Sequence, residues 1–182
     1  MAYERLERHV RYQGRIVEMC TDVIALPNGR QVEWDLVHHK GAAAILPVDE
    51  NGLLVLVRQF RNGPRQEILE IPAGGLNPGE DFITCATREL EEEIGYHAEE
   101  VHPLIELYTT VAFCDEKIGI YYTEKMTPAT QHLDEDEFVT IERYTLEEVV
   151  DMILNGTIQD SKTMAAVLAY QEVRRRREEG KK

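Results

Sequence analysis

Apolar and polar residues alternate with the period of a strand along much of this chain, and turn residues sit between the runs. Residues Arg15–His38 read as two strands around a hairpin turn at Pro27-Asn28-Gly29, where Asn-Gly supplies the positive φ angles. Ala42–Pro47 and Leu53–Phe60 read as a second pair around Asp49-Glu50-Asn51-Gly52, and Gln66–Ile71 as a short strand stopped by Pro72. Further strands are predicted at His102–Thr110, Lys117–Lys125 and Phe138–Thr145. The period becomes helical over Asp81–Ile94, with Gly95 as its stop signal. It does so again over Leu146–Asn155, closed by Gly156, and over Ser161–Arg177. Strands in hairpins with few helices between them predict an α/β (α+β) chain, a mixed β-sheet packed between helices, rather than a doubly wound parallel sheet.

The 182 residues suffice for one domain, or one domain with an appendage. A formal net charge of −14 opposes nucleic-acid binding, which draws its non-specific affinity from neutralising phosphates. The one basic run, Arg174–Arg177, is followed by Glu178 and Glu179 and reads as a solvated helix terminus. Apolar stretches such as Gly52–Val57 have strand length, so no membrane span is expected. Met1–Arg15 is charged and has no apolar core, so no signal peptide is expected either. Cys20, Cys85 and Cys114 are odd in number and lack metal-site spacing, which points to a reducing cytoplasm without disulfides.

The chemistry concentrates between Gly74 and Tyr96. On a helical wheel Ile83, Ala86, Leu90 and Ile94 share one narrow face, expected to pack on the sheet. Glu89, Glu92 and Glu93 fill an adjoining arc about 100° wide, whereas Glu91 reads as solvated. Like charges at this spacing repel, and beside a buried face they repel more, unless a hard cation sits among them. Mg²⁺ takes carboxylate oxygens, waters and substrate phosphates, and this arc offers the carboxylates.

The segment resembles the signature of the Nudix hydrolases, Gly-x5-Glu-x7-Arg-Glu-U-x-Glu-Glu-x-Gly-U, with U aliphatic. The fixed letters fall at Gly74, Glu80, Arg88, Glu89, Glu92, Glu93 and Gly95, Leu90 fills the first U, and Tyr96 departs at the last. The glycines Gly74 and Gly79 are expected to let the loop turn, Glu80 to sit at the helix N-terminus, and Arg88 to pair with a nearby carboxylate. The resemblance implies a Nudix-type α/β/α sandwich over residues 41–182. It also implies metal ligation by Glu89, Glu93 and the carbonyl of Ala73, with help from Glu92, and Mg²⁺, or Mn²⁺ in its place, as the only cofactor.

Beyond the box the chain is similar to bacterial ADP-ribose pyrophosphatases. Arg58-Gln59-Phe60-Arg61 resembles the strand end whose last arginine contacts substrate phosphates, and Glu70-Ile71-Pro72-Ala73-Gly74 the segment leading into the box. Leu133-Asp134-Glu135-Asp136-Glu137 resembles the acidic mobile loop that supplies a catalytic glutamate, and Glu116 a further acidic position. Trp34-Asp35 lines up with a Trp-acidic pair that holds an adenine, and residues 1–40 with strands exchanged across a homodimer. The resemblance thus implies a nucleoside diphosphate derivative as substrate, cleaved by water that a glutamate of this loop, Glu135 ahead of Glu137, deprotonates while Arg61 steadies the phosphates. Thr110-Val111-Ala112 stands where many of these enzymes have Ser-Pro-Gly. That departure leaves GDP-mannose, another nucleotide sugar or a dinucleoside pyrophosphate as the alternative substrate. A non-catalytic nucleotide sensor is the rival from another class. The intact box opposes it, as does the absence of a basic helix-turn-helix segment after residue 150.

Overall fold

The computed structural model describes residues 2–133, 135 and 137–180. They form two compact units, the first from residues 1–41 with 108–117 and the second from 42–107 with the residues from 118 onward.

In the first unit β1 (Glu4–Gln13), β2 (Val17–Ala25) and β3 (Gln31–His39) make an antiparallel sheet in that order. The β2–β3 turn falls where Asn28-Gly29 predicts it, with Gly29 at φ 83°. The apolar pattern does not mark strand β1, which lies in the stretch where the resemblance implies strands, because nearly every second residue in it is charged and no buried stripe shows. Arg8 pins it, donating from Nε and Nη2 to the two oxygens of Asp22, each at 2.7 Å. Segment 108–117 joins this unit through a parallel bridge between Val37 and Cys114. Histidines given no role in the sequence close the joint. His38 Nδ1 lies 2.7 Å from Asp115, and His39 Nδ1 lies 3.2 Å from Glu116. Large apolar side chains of this unit's sheet, among them Tyr3, Leu6, Val10, Tyr12, Ile16 and Trp34, remain exposed.

The second unit runs β4 (Ala42–Pro47), β5 (Leu54–Arg61), β6 (Gln66–Glu70), β7 (Ala73–Gly75), α1 (Phe82–Ile94), β8 (Tyr96–Ala98) and β9 (His102–Tyr108). It continues with β10 (Lys117–Thr123), β11 (Met126–Pro128), β12 (Thr140–Tyr144), α2 (Leu146–Leu154) and α3 (Ser161–Glu179). Strands β4 and β5 are not the hairpin their sequence spacing predicts. Only Val48 and Leu54 bridge, and each strand lies inside a different sheet. β4 pairs in parallel with β10 and antiparallel with β7, while β5 lies between β12 and β6. Asp49 Oδ1 accepts from the backbone of Asn51 and Leu53, both at 2.9 Å, so the turn is tight. Yet both strands are almost wholly buried, and a buried strand needs partners on both edges that one hairpin cannot supply.

Alternation along β4 and β5 then builds two cores. Ala43, Ile45, Val55 and Val57 pack with Cys85, Ala86, Leu90 and Ile94 of α1. Ala44, Leu46, Leu54 and Leu56 pack with Leu146, Val149, Ala166 and Val167 of α2 and α3. The unit is therefore a mixed sheet system between helices, as the pattern predicts. Helix α1 starts at the N-cap Asp81, which accepts from Thr84 N at 2.8 Å, and ends at Gly95 with φ 69°. Ile83 does not join the buried stripe: it is 41 % exposed, and Phe82 packs in its place. The Phe82 ring sits against Gly119, where a Cβ would lie 2.8 Å from it. No helix among the described residues is long and apolar enough to cross a membrane.

Candidate active site

The loop from β7 into α1 is held by a single guanidinium. Arg88 donates to both oxygens of Glu80, at 2.9 and 3.0 Å, and to the carbonyl of Gly75 at 3.2 Å. Its remaining nitrogen donates to Glu89 at 2.6 Å and Glu92 at 2.7 Å. The Arg88 hydrogen bonds hold the Glu80 carboxyl down to about 2. Glu80 precedes the N-cap, and its work is this pairing rather than favouring the helix terminus. Gly79 turns the loop at φ +80°, but Gly74 serves another purpose. A Cβ at Gly74 would lie 1.9 Å from Glu89 Oε1, so only glycine lets that carboxylate rest against β7.

Glu89 is 8 % exposed and Glu93 2 %, an unusual burial for two carboxylates one helical turn apart. Burial, then the negative charges of Glu89, Glu70 and Glu137, pushes Glu93 up to about 8, against the pull of Arg61. Glu89 is raised too, by burial first. Two buried side-chain polar atoms lack any hydrogen-bond partner among the described residues, Glu93 Oε2 and Gln59 Nε2. An orphaned, buried carboxylate oxygen beside a second raised carboxylate fits a hard cation, which would satisfy the one and neutralise both. Glu89 and Glu93 are the side chains that could hold it. Among the described residues no three acidic, histidine or cysteine side chains cluster as a metal cage. The cation that suits such a site keeps waters and substrate oxygens in its shell, as Mg²⁺ does. Ala73 lies beside Gly74 on β7, paired with Ala44. Glu92 is half-buried and tied to Arg88.

In the acidic loop Glu137 is the carboxylate whose charge acts on both Glu89 and Glu93, whereas Glu135 is exposed. Asp134 and Asp136 of that loop lie outside the described residues. Arg61, at the end of β5, donates from Nε to Glu70 at 2.7 Å, and its charge reaches Glu93. Glu70, 1 % exposed, and Lys162, which binds it from the start of α3, received no role from the sequence. They are 92 positions apart, and no local pattern links them.

The other expected substrate residues lie in the first unit. Trp34 is 50 % exposed on β3, with the Tyr3 ring 6.1 Å away. Asp35 follows it on the strand and so points to the opposite face, where Thr21 Oγ1 lies 3.4 Å away. Glu116 is engaged by His39.

Mixed sheet, glycine-gated loop and acidic helix together define a Nudix-type hydrolase fold. The chain belongs to the Nudix family: a family model described as NUDIX domain matches residues 37–167. It is 35 % identical over 158 residues to an ADP-ribose pyrophosphatase of Bacillus subtilis (strain 168), covering 86 % of this chain and 85 % of that one. It is 40 % identical, over the same length and shares, to a methanol dehydrogenase activator of Bacillus methanolicus. A crystal structure of an ADP compounds hydrolase shares the fold, with a TM-score of 0.82 and 21 % identity over 94 % of each chain.

The repulsion at Glu93 has a measurable consequence. A carboxyl raised on folding costs stability as pH climbs from the ordinary carboxylate range to about 8, and Gln carries no such titration. In EDTA, Glu93→Gln is expected to raise Tm above wild type by about 2–4 °C for each kcal/mol relieved, and by more at pH 8 than at pH 5. Thermal melts at the two pH values check this, and a variant that melts lower at pH 8 contradicts it.

Proposed function

We propose that the protein hydrolyses the pyrophosphate of ADP-ribose, or of a related ADP-sugar, with Mg²⁺ or Mn²⁺ held by Glu89, Glu93 and the Ala73 carbonyl. ADP-ribose would yield AMP and ribose 5-phosphate. The observation that carries this is the buried pair Glu89 and Glu93, one oxygen of it unpartnered, with Glu93 within electrostatic reach of Arg61. A bound divalent cation would polarise the phosphorus centre and make water a stronger acid. Arg61 offers its terminal nitrogens to the phosphate oxygens, a fork suited to that geometry. Glu137 takes the proton of the attacking water as its oxygen bonds to phosphorus and the bridging oxygen leaves with the other phosphate. The charge of Glu137 on Glu89 and Glu93 favours it over Glu135 for this step. Arg88 holds Glu92 and the loop in place and takes no part in proton transfer. Trp34 offers its exposed ring face to the base, and Asp35 and Glu116 remain the acidic groups assigned to substrate. The pyrophosphatase named above supports an adenine nucleotide. The edge strand β1 and the exposed apolar side chains of its sheet support association of two copies through residues 1–40.

Glu137→Gln is expected to lower kcat by about two powers of ten or more with little change in KM, and Glu135→Gln by less than about threefold. The reverse ranking in steady-state kinetics would return the base to Glu135.

Sedimentation at micromolar concentration is expected to give twice the monomer mass, and an active monomer would refute the exchanged-strand reading.

Given Mg²⁺, ADP-ribose is expected to show the highest kcat/KM in a panel with GDP-mannose, UDP-glucose, NADH, diadenosine polyphosphates and 8-oxo-dGTP. Other ADP-sugars are expected to follow closely, because Val111 removes a rigid proline turn. Glu93→Gln is the control, expected to lose at least about a thousandfold in kcat. A clear preference for GDP-mannose over every ADP compound would overturn the substrate assignment, and an active control the metal site.

A further inference from the structure

We propose that Glu70 and Lys162 form a buried clamp that aims the Arg61 guanidinium at the substrate's pyrophosphate. The inference rests on reading this site as a pyrophosphatase. Glu70 is the last residue of β6 and almost fully buried. One of its oxygens accepts from Arg61 Nε at 2.7 Å, and the other accepts from Lys162 Nζ. With both oxygens on cations, Glu70 is no metal ligand, although it adds to the negative field on Glu93. Lys162 is itself fixed: its ammonium also lies 3.1 Å from Asp160, the N-cap of α3. Two backbone-anchored bonds lock the base of the clamp. Ile71 N, just past β6, donates to the fully buried Thr163 Oγ1 at 2.9 Å, and Thr163 N donates to Asp160 at 3.0 Å.

Such a network is a poor way to gain stability, since apolar residues of similar volume commonly do as well or better in place of a buried ion pair. What it does achieve is geometric. Arg61 is anchored through Nε alone, its side chain is 40 % exposed, and its two terminal nitrogens have no partner among the described residues. A long, flexible side chain thereby becomes a fixed two-pronged donor. Less rotamer freedom is lost when an anion binds to it, so the gain falls on substrate affinity rather than on the chemical step. Glu70 and Lys162 are therefore positioning residues, acting through Arg61.

The test is a double-mutant cycle on the full chain, read as kcat and KM for ADP-ribose with Mg²⁺ and as the calorimetric Kd for ADP-ribose in EDTA. Arg61→Ala is expected to raise KM and Kd about tenfold or more. Glu70→Gln and Lys162→Met should each raise them about fivefold, with kcat within about threefold of wild type. On the Arg61→Ala background Glu70→Gln should add less than about twofold, because the group it positions is gone. Lys162→Arg, which keeps the cation, should restore affinity. Where Glu70→Gln alone leaves the buried Lys162 with only Asp160 to answer its charge and the fold fails, Glu70→Gln with Lys162→Met removes both charges and should show the same KM as Lys162→Met. Equal losses from Glu70→Gln on both backgrounds, or none beside a clear loss in Arg61→Ala, would overturn the clamp and leave the pyrophosphatase intact. No hydrolysis by wild type, or an Arg61→Ala variant with unchanged KM and Kd, would overturn both.

Discussion

Taking a carboxylate out of water costs several kcal/mol unless something answers its charge, and α1 does this twice within one turn, at Glu89 and Glu93. Much of the second unit follows from that cost. Arg88 answers Glu89 and Glu92 with one nitrogen and uses the others to draw Glu80 and the β7 loop together. Gly74 lacks a side chain because the Glu89 carboxylate occupies the space. Among the described residues the charge of Arg61 pulls against the burial of Glu93, and one Glu93 oxygen is left over. The local rule that buried polar groups find partners is broken where the chemistry is proposed, a pattern expected of functional sites.

The sheet system turns that local demand into a site. Because β4 and β5 lie in different sheets but share both cores, the end of β5 brings Arg61 within electrostatic reach of Glu93 on α1. β6 returns beside β5 and delivers Glu70, and α3 reaches it from the far end of the chain. Each contributor is carried on a regular element and held by its own hydrogen bonds, which is how side chains with three or four rotatable bonds become preorganised donors.

What could be read beforehand was what local rules dictate. Asn28-Gly29 demands a hairpin, Asp81 and Gly95 bracket a helix, and the acidic spacing on that helix sets Glu89 and Glu93 one turn apart beside its apolar face. Pairing between distant strands has no such signature. β4 lies parallel to β10, more than seventy positions on, and the short Asp49–Gly52 turn invites the wrong partner. β1 left no apolar stripe to read, because it is almost wholly exposed and is pinned by the Arg8–Asp22 pair rather than by burial. Phe82 displaced Ile83 from the stripe because a glycine on β10 opened room for a ring. Glu70 and Lys162 stand as an ordinary acid and an ordinary base until the fold joins them across 92 positions. Adjacency in sequence is not a shared face either: Trp34 and Asp35 follow one another, and a strand sends neighbours to opposite faces.

On the proposed assignments, chemistry and selectivity fall in different parts of the chain. Glu89, Glu93, Glu137, Arg61 and its clamp all belong to the second unit, whereas Trp34, Asp35, Glu116 and Val111 belong to the first. The first group is mutually constrained: a change at Glu89 touches Arg88 and Gly74, and a change at Glu70 touches Arg61 and Lys162. The second group is held more loosely, with Trp34 half exposed and Val111 82 % exposed. Substitution at Val111 therefore carries little cost in packing, while substitution at Gly74 cannot be accommodated without moving a buried carboxylate. A pyrophosphatase built this way can alter the nucleoside or sugar it accepts and keep its hydrolytic centre, because selectivity is assigned to positions that packing holds loosely and chemistry to positions that constrain one another.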